Sequence, residues 1–115
     1  MSLIQITQRN EKVPVTVFQI RDRISIDNFA ELESLTKEAY DKGMRNLILD
    51  LSPLTGITSI GVRAIVVIHK ILSAEGGSPL KLAGASPMIR NVLQIAGITQ
   101  FIDIYDTVEE AAASF

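Results

Sequence analysis

The sequence predicts an α/β fold. It reads as a single domain over residues 1–115, with a mixed, mostly parallel sheet of four to five strands, an N-terminal hairpin and about four helices. Three observations carry this reading. After a first hairpin, strand-like and helix-like segments alternate, which is the order that builds a parallel sheet. The run Leu47-Ile48-Leu49-Asp50-Leu51 is apolar on both alternating faces apart from Asp50, as in a central strand covered by helices. With 115 residues, 47% hydrophobic and 21% charged, the chain is long enough for one ordinary globular core.

The elements follow in order. Leu3 to Gln8 alternates in part and reads as a strand, Arg9 to Lys12 as a polar turn, and Val13 to Ile20 as a second strand rich in β-branched residues. Pro14 places its own position near a strand start or edge, because proline donates no ladder hydrogen bond. Asp27 is the expected N-cap of a helix with Phe29, Leu32, Leu35, Ala39 and Tyr40 at helical spacing, closed by Gly43. Leu47–Leu51 is the central strand, and Ser52 to Ile57 is a loop carrying Pro53 and Gly56. A long apolar helix from about Ile60 to Glu75 stops at Gly76-Gly77. Leu80–Ala83 is a short strand. Ser86-Pro87 reads as N-cap and N1 of a helix through Ile95, ended by Gly97. Phe101–Tyr105 is the last strand, and Thr107-Val108-Glu109-Glu110 is a capping box that opens a C-terminal helix.

Several function classes are excluded by what these residues can do. The chain has no cysteine, so neither a disulfide framework nor a thiolate metal site is available, which fits a cytoplasmic location. The net charge is −2 with both signs scattered, and no basic run points to direct nucleic-acid binding. On the central helix the longest wholly apolar run, Ala64 to Ile68, is far too short for membrane insertion, and Met1-Ser2-Leu3 has no signal-peptide layout. No phosphate-binding Gly-rich loop is present, so no cofactor is expected. No metal is expected either: the paired Glu109 and Glu110 belong to a helix start, where negative charge favours the dipole. The one histidine, His69, lies ten residues from Ser59 on the same predicted helix, roughly 15 Å along its axis, so the two form no nucleophile–base pair. The chain is not expected to be an enzyme.

What remains is a surface around one hydroxyl. Ser59, within Thr58-Ser59-Ile60-Gly61, sits where a buried strand crosses a loop into the long helix. Backbone N–H groups and the dipole at a helix start favour negative charge, so a phosphate on Ser59 is well placed there; the same position also suits a plain N-cap. A wheel at about 100° per residue puts Gly61, Ala64, Ile65, Ile68, Ile71 and Leu72 on the core face, with Ile60 and Val67 at its margin. Opposite lie Ser59, Arg63, Val66, Lys70 and Ser73, with Val62 and His69 towards that side, a combination that fits a partner-binding surface. Asp50, near the C-terminal end of its strand, is either part of a site at that edge or an acceptor that ties down loop amides.

Taken together these segments resemble a STAS domain, the module of bacterial anti-sigma factor antagonists and of sulphate-transporter tails. The resemblance covers nearly the whole chain. Leu47–Ser52 is similar to the family's central strand, and Thr58-Ser59-Ile60-Gly61 lies where the family usually has Asp-Ser-Ser-Gly. Glu75-Gly76-Gly77 and Leu80–Gly84 match its helix end and next strand. Ser86-Pro87 through Arg90, Val92-Leu93 and Ala96-Gly97-Ile98 match the following helix and its stop, and Asp103–Asp106 with Glu109-Glu110-Ala111 match the tail. The resemblance implies partner switching: an antagonist binds an anti-sigma factor that is also a serine kinase, which frees a sigma factor; the kinase phosphorylates the serine at the helix start, and a serine phosphatase resets the system. The matching acceptor is Ser59, and the partner-binding residues expected around it are Asp50, Thr58, Ile60, Gly61, Val62, Arg63 and Val66. The chain departs from the family pattern at Thr58 (usually Asp), Ile60 (usually Ser), Arg63 (a small residue, often Gly) and Ser25 (often acidic), and Thr58 is itself either a second candidate phosphoacceptor or the N-cap of the helix. The alternative expectation is a constitutive STAS adaptor in a signalling or lipid-transport complex, with no phospho-switch.

Overall fold

The computed structural model describes residues 3–73 and 80–115. Its one sheet has the strand order β1-β2-β3-β4-β5, namely β1 (Ile4–Asn10), β2 (Pro14–Ile20), β3 (Leu47–Asp50), β4 (Leu80–Ala83) and β5 (Asp103–Tyr105). β1 and β2 pair antiparallel and every later pair is parallel, so the expected hairpin and mixed sheet are both present, with five strands. Helices α1 (Phe29–Asp41), α2 (Ser59–Leu72), α3 (Pro87–Ile95) and α4 (Val108–Ala113) complete the described fold.

The apolar pattern of β3 follows from its position between two packed layers. Leu47, Leu49 and Leu51 are fully buried in the main core with Leu32 of α1, Ile65 and Ile68 of α2, and Ile89 and Leu93 of α3. Burial of each such side chain contributes about 1.5–3 kcal/mol before entropy is counted. Ile48 points the other way, into a smaller core with Val15, Val17, Ala83, Ala111 and Ala112. The two alanines of α4 have short side chains, so this helix lies close on the second face of the sheet. Lys81 ties down its end: Nζ donates to Ser114 Oγ at 2.8 Å and to the Ser114 carbonyl at 3.3 Å, and stands 4.7 Å from the Phe115 ring centroid.

The sequence boundaries hold at several caps. Ser86 Oγ accepts from Ile89 N at 3.3 Å with Pro87 at N1, and Thr107 Oγ1 accepts from Glu110 N at 3.1 Å. Gly43 and Gly97 carry φ of 111° and 83° just beyond α1 and α3, a left-handed backbone that glycine adopts without Cβ strain. Pro14 is the first residue of β2. Three expectations are corrected. Residues Arg9 and Asn10 extend β1 rather than forming the turn, and Arg9 pairs with Glu11 at 3.5 Å. The N-cap position of α1 falls to Asn28, not Asp27, and no side chain caps it; the Asn28 amide oxygen is turned back to accept from Ser25 N at 2.8 Å, which holds the preceding loop instead of the helix end. The last strand starts at Asp103, because Ile98–Gln100 winds into a 3-10 turn and Phe101 follows it on the surface. The predicted helix stop at Glu75-Gly76-Gly77 lies outside the described residues.

Candidate functional site

The C-terminal ends of β3 and β4 lead into the N-termini of α2 and α3, so both helix starts lie along one edge of the sheet. At α2 the local structure is set by Thr58. Its backbone is extended, and its Oγ1 accepts from Gly61 N at 3.2 Å while donating to the Ile24 carbonyl at 3.2 Å. One hydroxyl thus caps the helix and fastens the loop before α1 against it. Thr58 is therefore the N-cap, and Ser59 is the first helical residue. The plain-cap reading of Ser59 is thereby corrected: its hydroxyl is exposed and the capping is done by its neighbour.

Gly61 is buried in the first turn. A Cβ there would stand 2.7 Å from Ile57 Cγ1 and 3.9 Å from Ile24 Cβ, so glycine allows the loop 52–57 and the Ile24 segment to close on the helix. No acidic side chain occupies the first turn of α2. Arg63, one turn after Ser59, is exposed and makes no ion pair or hydrogen bond among the described residues. Residues four apart on a helix are surface neighbours, so a guanidinium stands within reach of any group on the serine.

The core face of α2 is close to that of the wheel: Gly61, Ala64, Ile65, Ile68 and Leu72 are buried, while Ile71 is half-buried. The opposite face is narrower than the wheel implies. Val62 and Val66 are half-buried and pack against the main core, as does Ile60. The flank that carries Val62, Val66 and His69 turns towards the segment after α3, where the His69 and Phe101 ring centroids lie 4.9 Å apart. α2 is wedged between neighbours on the sheet, and a single-helix wheel does not see the second of them. Burial also lowers the His69 pKa from its ordinary 6.5. What α2 leaves exposed is Ser59, Arg63 and Lys70.

Asp50 is not brought to this cluster. It is the last residue of β3 and 8% exposed, and strand alternation points it to the α4 side with Ile48. Its Oδ1 accepts from Ser52 N at 3.0 Å and its Oδ2 from Gln19 Nε2 at 3.2 Å. Of its two sequence readings, the acceptor that ties down a loop amide is the one with a bond on it. Gly84 completes this corner: with φ of 74° it leaves no Cβ to press on Asp50 Oδ1 or Ser52 Cβ, each 3.0 Å from where that atom would lie.

Two apolar residues that sequence reasoning passed over flank the same edge. Ile26 is 82% exposed, two residues after the carbonyl that Thr58 holds, and Met88 is 67% exposed in the first turn of α3. Ile26 stands alone among polar neighbours in the sequence, which is the only local signal it gives; Met88 looks like any helical apolar residue until the sheet orients α3. Among the described residues no group of three or more acidic or histidine side chains is arranged to hold a metal. No described helix is long and apolar enough to cross a membrane.

This arrangement has close counterparts. The STAS domain family profile matches residues 5–111. BtrV of Bordetella bronchiseptica, named as an anti-sigma factor antagonist, is 34% identical over 88 residues, which is 76% of this chain and 75% of that protein. The crystal structure of an anti-sigma factor antagonist from Thermotoga maritima superimposes with a TM-score of 0.82 at 24% identity, over 94% of this chain and 90% of its own. The Bacillus cell-fate determinant SpoIIAA in its phosphorylated form superimposes with a TM-score of 0.71 at 19% identity, over 94% and 95% of the two chains. The two superpositions speak for the fold, and the profile and the sequence relative for the lineage: the chain belongs to the STAS domain family, in the branch of the anti-sigma factor antagonists.

Proposed function

We propose that this protein is a non-enzymatic anti-sigma factor antagonist of a partner-switching pathway, that it binds an anti-sigma factor with serine kinase activity, and that phosphorylation of Ser59 releases it. The observation that carries the proposal is the division of labour at the start of α2. Thr58 supplies the cap and the loop tie, so Ser59 is left exposed, structurally idle and beside Arg63. A phosphate there adds about −1.5 to −2 charges to the middle of a contact surface. It weakens binding by repelling acidic partner groups and by losing water without full compensation. The relatives named as anti-sigma factor antagonists and the phosphorylated structure of SpoIIAA support the reading.

In this reading Arg63, Ser59 and the exposed Ile26 make direct contact. Ile60, Val62 and Val66 add the half-buried apolar margin, Thr58 and Gly61 shape the helix start, and Asp50 holds the adjoining loop. A serine phosphatase resets the protein. The test uses the purified chain with its cognate anti-sigma kinase and ATP. Mass spectrometry is expected to place one phosphate on Ser59, and Ser59→Asp is expected to weaken the complex at least about tenfold, roughly 1.4 kcal/mol. A phosphate placed elsewhere, or none, refutes the switch. Unaltered binding by Ser59→Asp refutes the electrostatic mechanism and leaves a constitutive adaptor.

A further inference from the structure

Among the described residues no strand pairs with the outer edge of β1. β1 is the outer strand, seven residues long, and pairs with β2 in unbroken register from Ile4↔Ile20 to Asn10↔Pro14. Edge strands are usually blunted by proline, lysine, a bulge or a covering helix. Ile4–Asn10 contains no proline or lysine and its register shows no bulge; its one charged residue, Arg9, pairs with Glu11 of the same chain at 3.5 Å. Ile6 is 51% exposed, above an open groove of about 590 Å³ that reaches Phe18, Leu35 and Met44.

The register fixes which backbone groups are free. Arg21 N donates to the Leu3 carbonyl at 2.8 Å, so Leu3 and Arg21 form a hydrogen-bonded pair. Bonded and non-bonded pairs alternate in an antiparallel ladder, so Gln5, Thr7 and Arg9 also bond inward to β2. The N–H and C=O groups of Ile4, Ile6, Gln8 and Asn10 therefore point outward.

We infer that this edge is a homodimer surface, in which β1 pairs antiparallel with β1 of a second copy to make a continuous ten-stranded sheet. An antiparallel strand pair carries its own two-fold axis, so such an edge is complementary to itself. Full overlap of residues 4–10 centres the axis on Thr7. That register pairs Ile4 with Asn10 and Ile6 with Gln8, which are the outward-bonding residues on both copies. It sets Thr7 against Thr7, a favourable cross-strand pair, and Arg9 against Gln5. Arg9 of one copy and Arg21 of the other, which reaches over to Gln5 at 3.0 Å, meet at this strand end, and Glu11, 3.5 Å from Arg9, is brought between them as the counter-charge. The alternating free groups, the centred axis and the charge pattern agree on one register. The shared edge is about 23 Å long. It is smaller than a standard interface, so the affinity is expected at about 1–100 µM. This surface is independent of Ser59.

Sedimentation of the full chain from about 1 µM to about 1 mM is expected to show the mass rising from 12.6 kDa towards twice that value. Amide exchange at Ile4, Ile6, Gln8 and Asn10 is expected to slow at least about tenfold over the same range. Thr7→Lys, which places two cations on the axis, and Ile6→Pro, which removes an outward N–H without touching the β2 ladder, are both expected to abolish the dimer. Their thermal melts at low concentration are expected to match the parent chain. A chain that stays monomeric throughout overturns the inference, as does a dimer that survives both substitutions. Protection of these amides only when an anti-sigma partner is added also overturns it and assigns the edge to that partner.

Discussion

Replacing Thr58 with valine removes one oxygen and keeps the shape of the side chain. That oxygen makes two bonds: it accepts from Gly61 N at 3.2 Å and donates to the Ile24 carbonyl at 3.2 Å. Loss of an N-cap costs about 1 kcal/mol, and loss of the second hydrogen bond costs about 1 kcal/mol more. Both partners belong to buried residues, Ile24 and Gly61, so these two costs are the lower end of the penalty. The expected sum is about 2 kcal/mol. In urea this lowers the midpoint by about 1 M at an unchanged slope, and it lowers the melting temperature by about 8 °C for a domain of this size. Thr58→Ser retains the hydroxyl and is expected to lose less than about 0.5 kcal/mol. The assay is equilibrium urea unfolding of the three proteins, followed by circular dichroism. If Thr58→Val unfolds within about 0.5 kcal/mol of the parent, or if Thr58→Ser is as damaging as Thr58→Val, the hydroxyl does not fasten the α2 start and the account of Ser59 as structurally idle loses its basis.

Ser59→Ala is expected to change stability by less than about 0.5 kcal/mol in the same assay, since it removes an exposed hydroxyl at N1. Gly84→Ala is expected to cost more than about 1 kcal/mol, because an L side chain is strained at φ of 74° and its Cβ would press on Asp50 and Ser52. His69 gives a pH dependence. Its folded pKa is lowered by burial, so the unfolded chain binds the proton more readily; the contribution is complete above about 6.5 and is lost as pH falls below that value. Urea midpoints measured down through this window are expected to decline, and His69→Gln is expected to flatten that part of the profile.

Much of the fold was legible from residue order because its causes are local. The strand Leu47–Leu51 is apolar on both faces because both faces are covered, and Ser86-Pro87 and Thr107–Glu110 write their helix starts in the side chains that cap them. The first helix was harder: Asp27 and Asn28 are both good caps by type, and the choice fell to the Asn28 amide that holds Ser25 N in the loop. At the site, the position of Ser59 on the helix was readable, but its freedom was not. Whether Thr58 or Ser59 caps α2 depends on the backbone turn into the helix and on the Ile24 carbonyl, thirty-four residues away in the chain.

The sequence by itself therefore determined the order of elements, the buried strand and the serine at the head of α2, since periodicity and capping chemistry act over a few residues. The tertiary structure alone decided which hydroxyl is spent on the fold, that Val62 and Val66 pack against the main core, and that Ile26 stands exposed two residues past the carbonyl that Thr58 holds. These depend on packing between segments distant in the chain, and no local pattern encodes which flank of a helix its neighbours will cover.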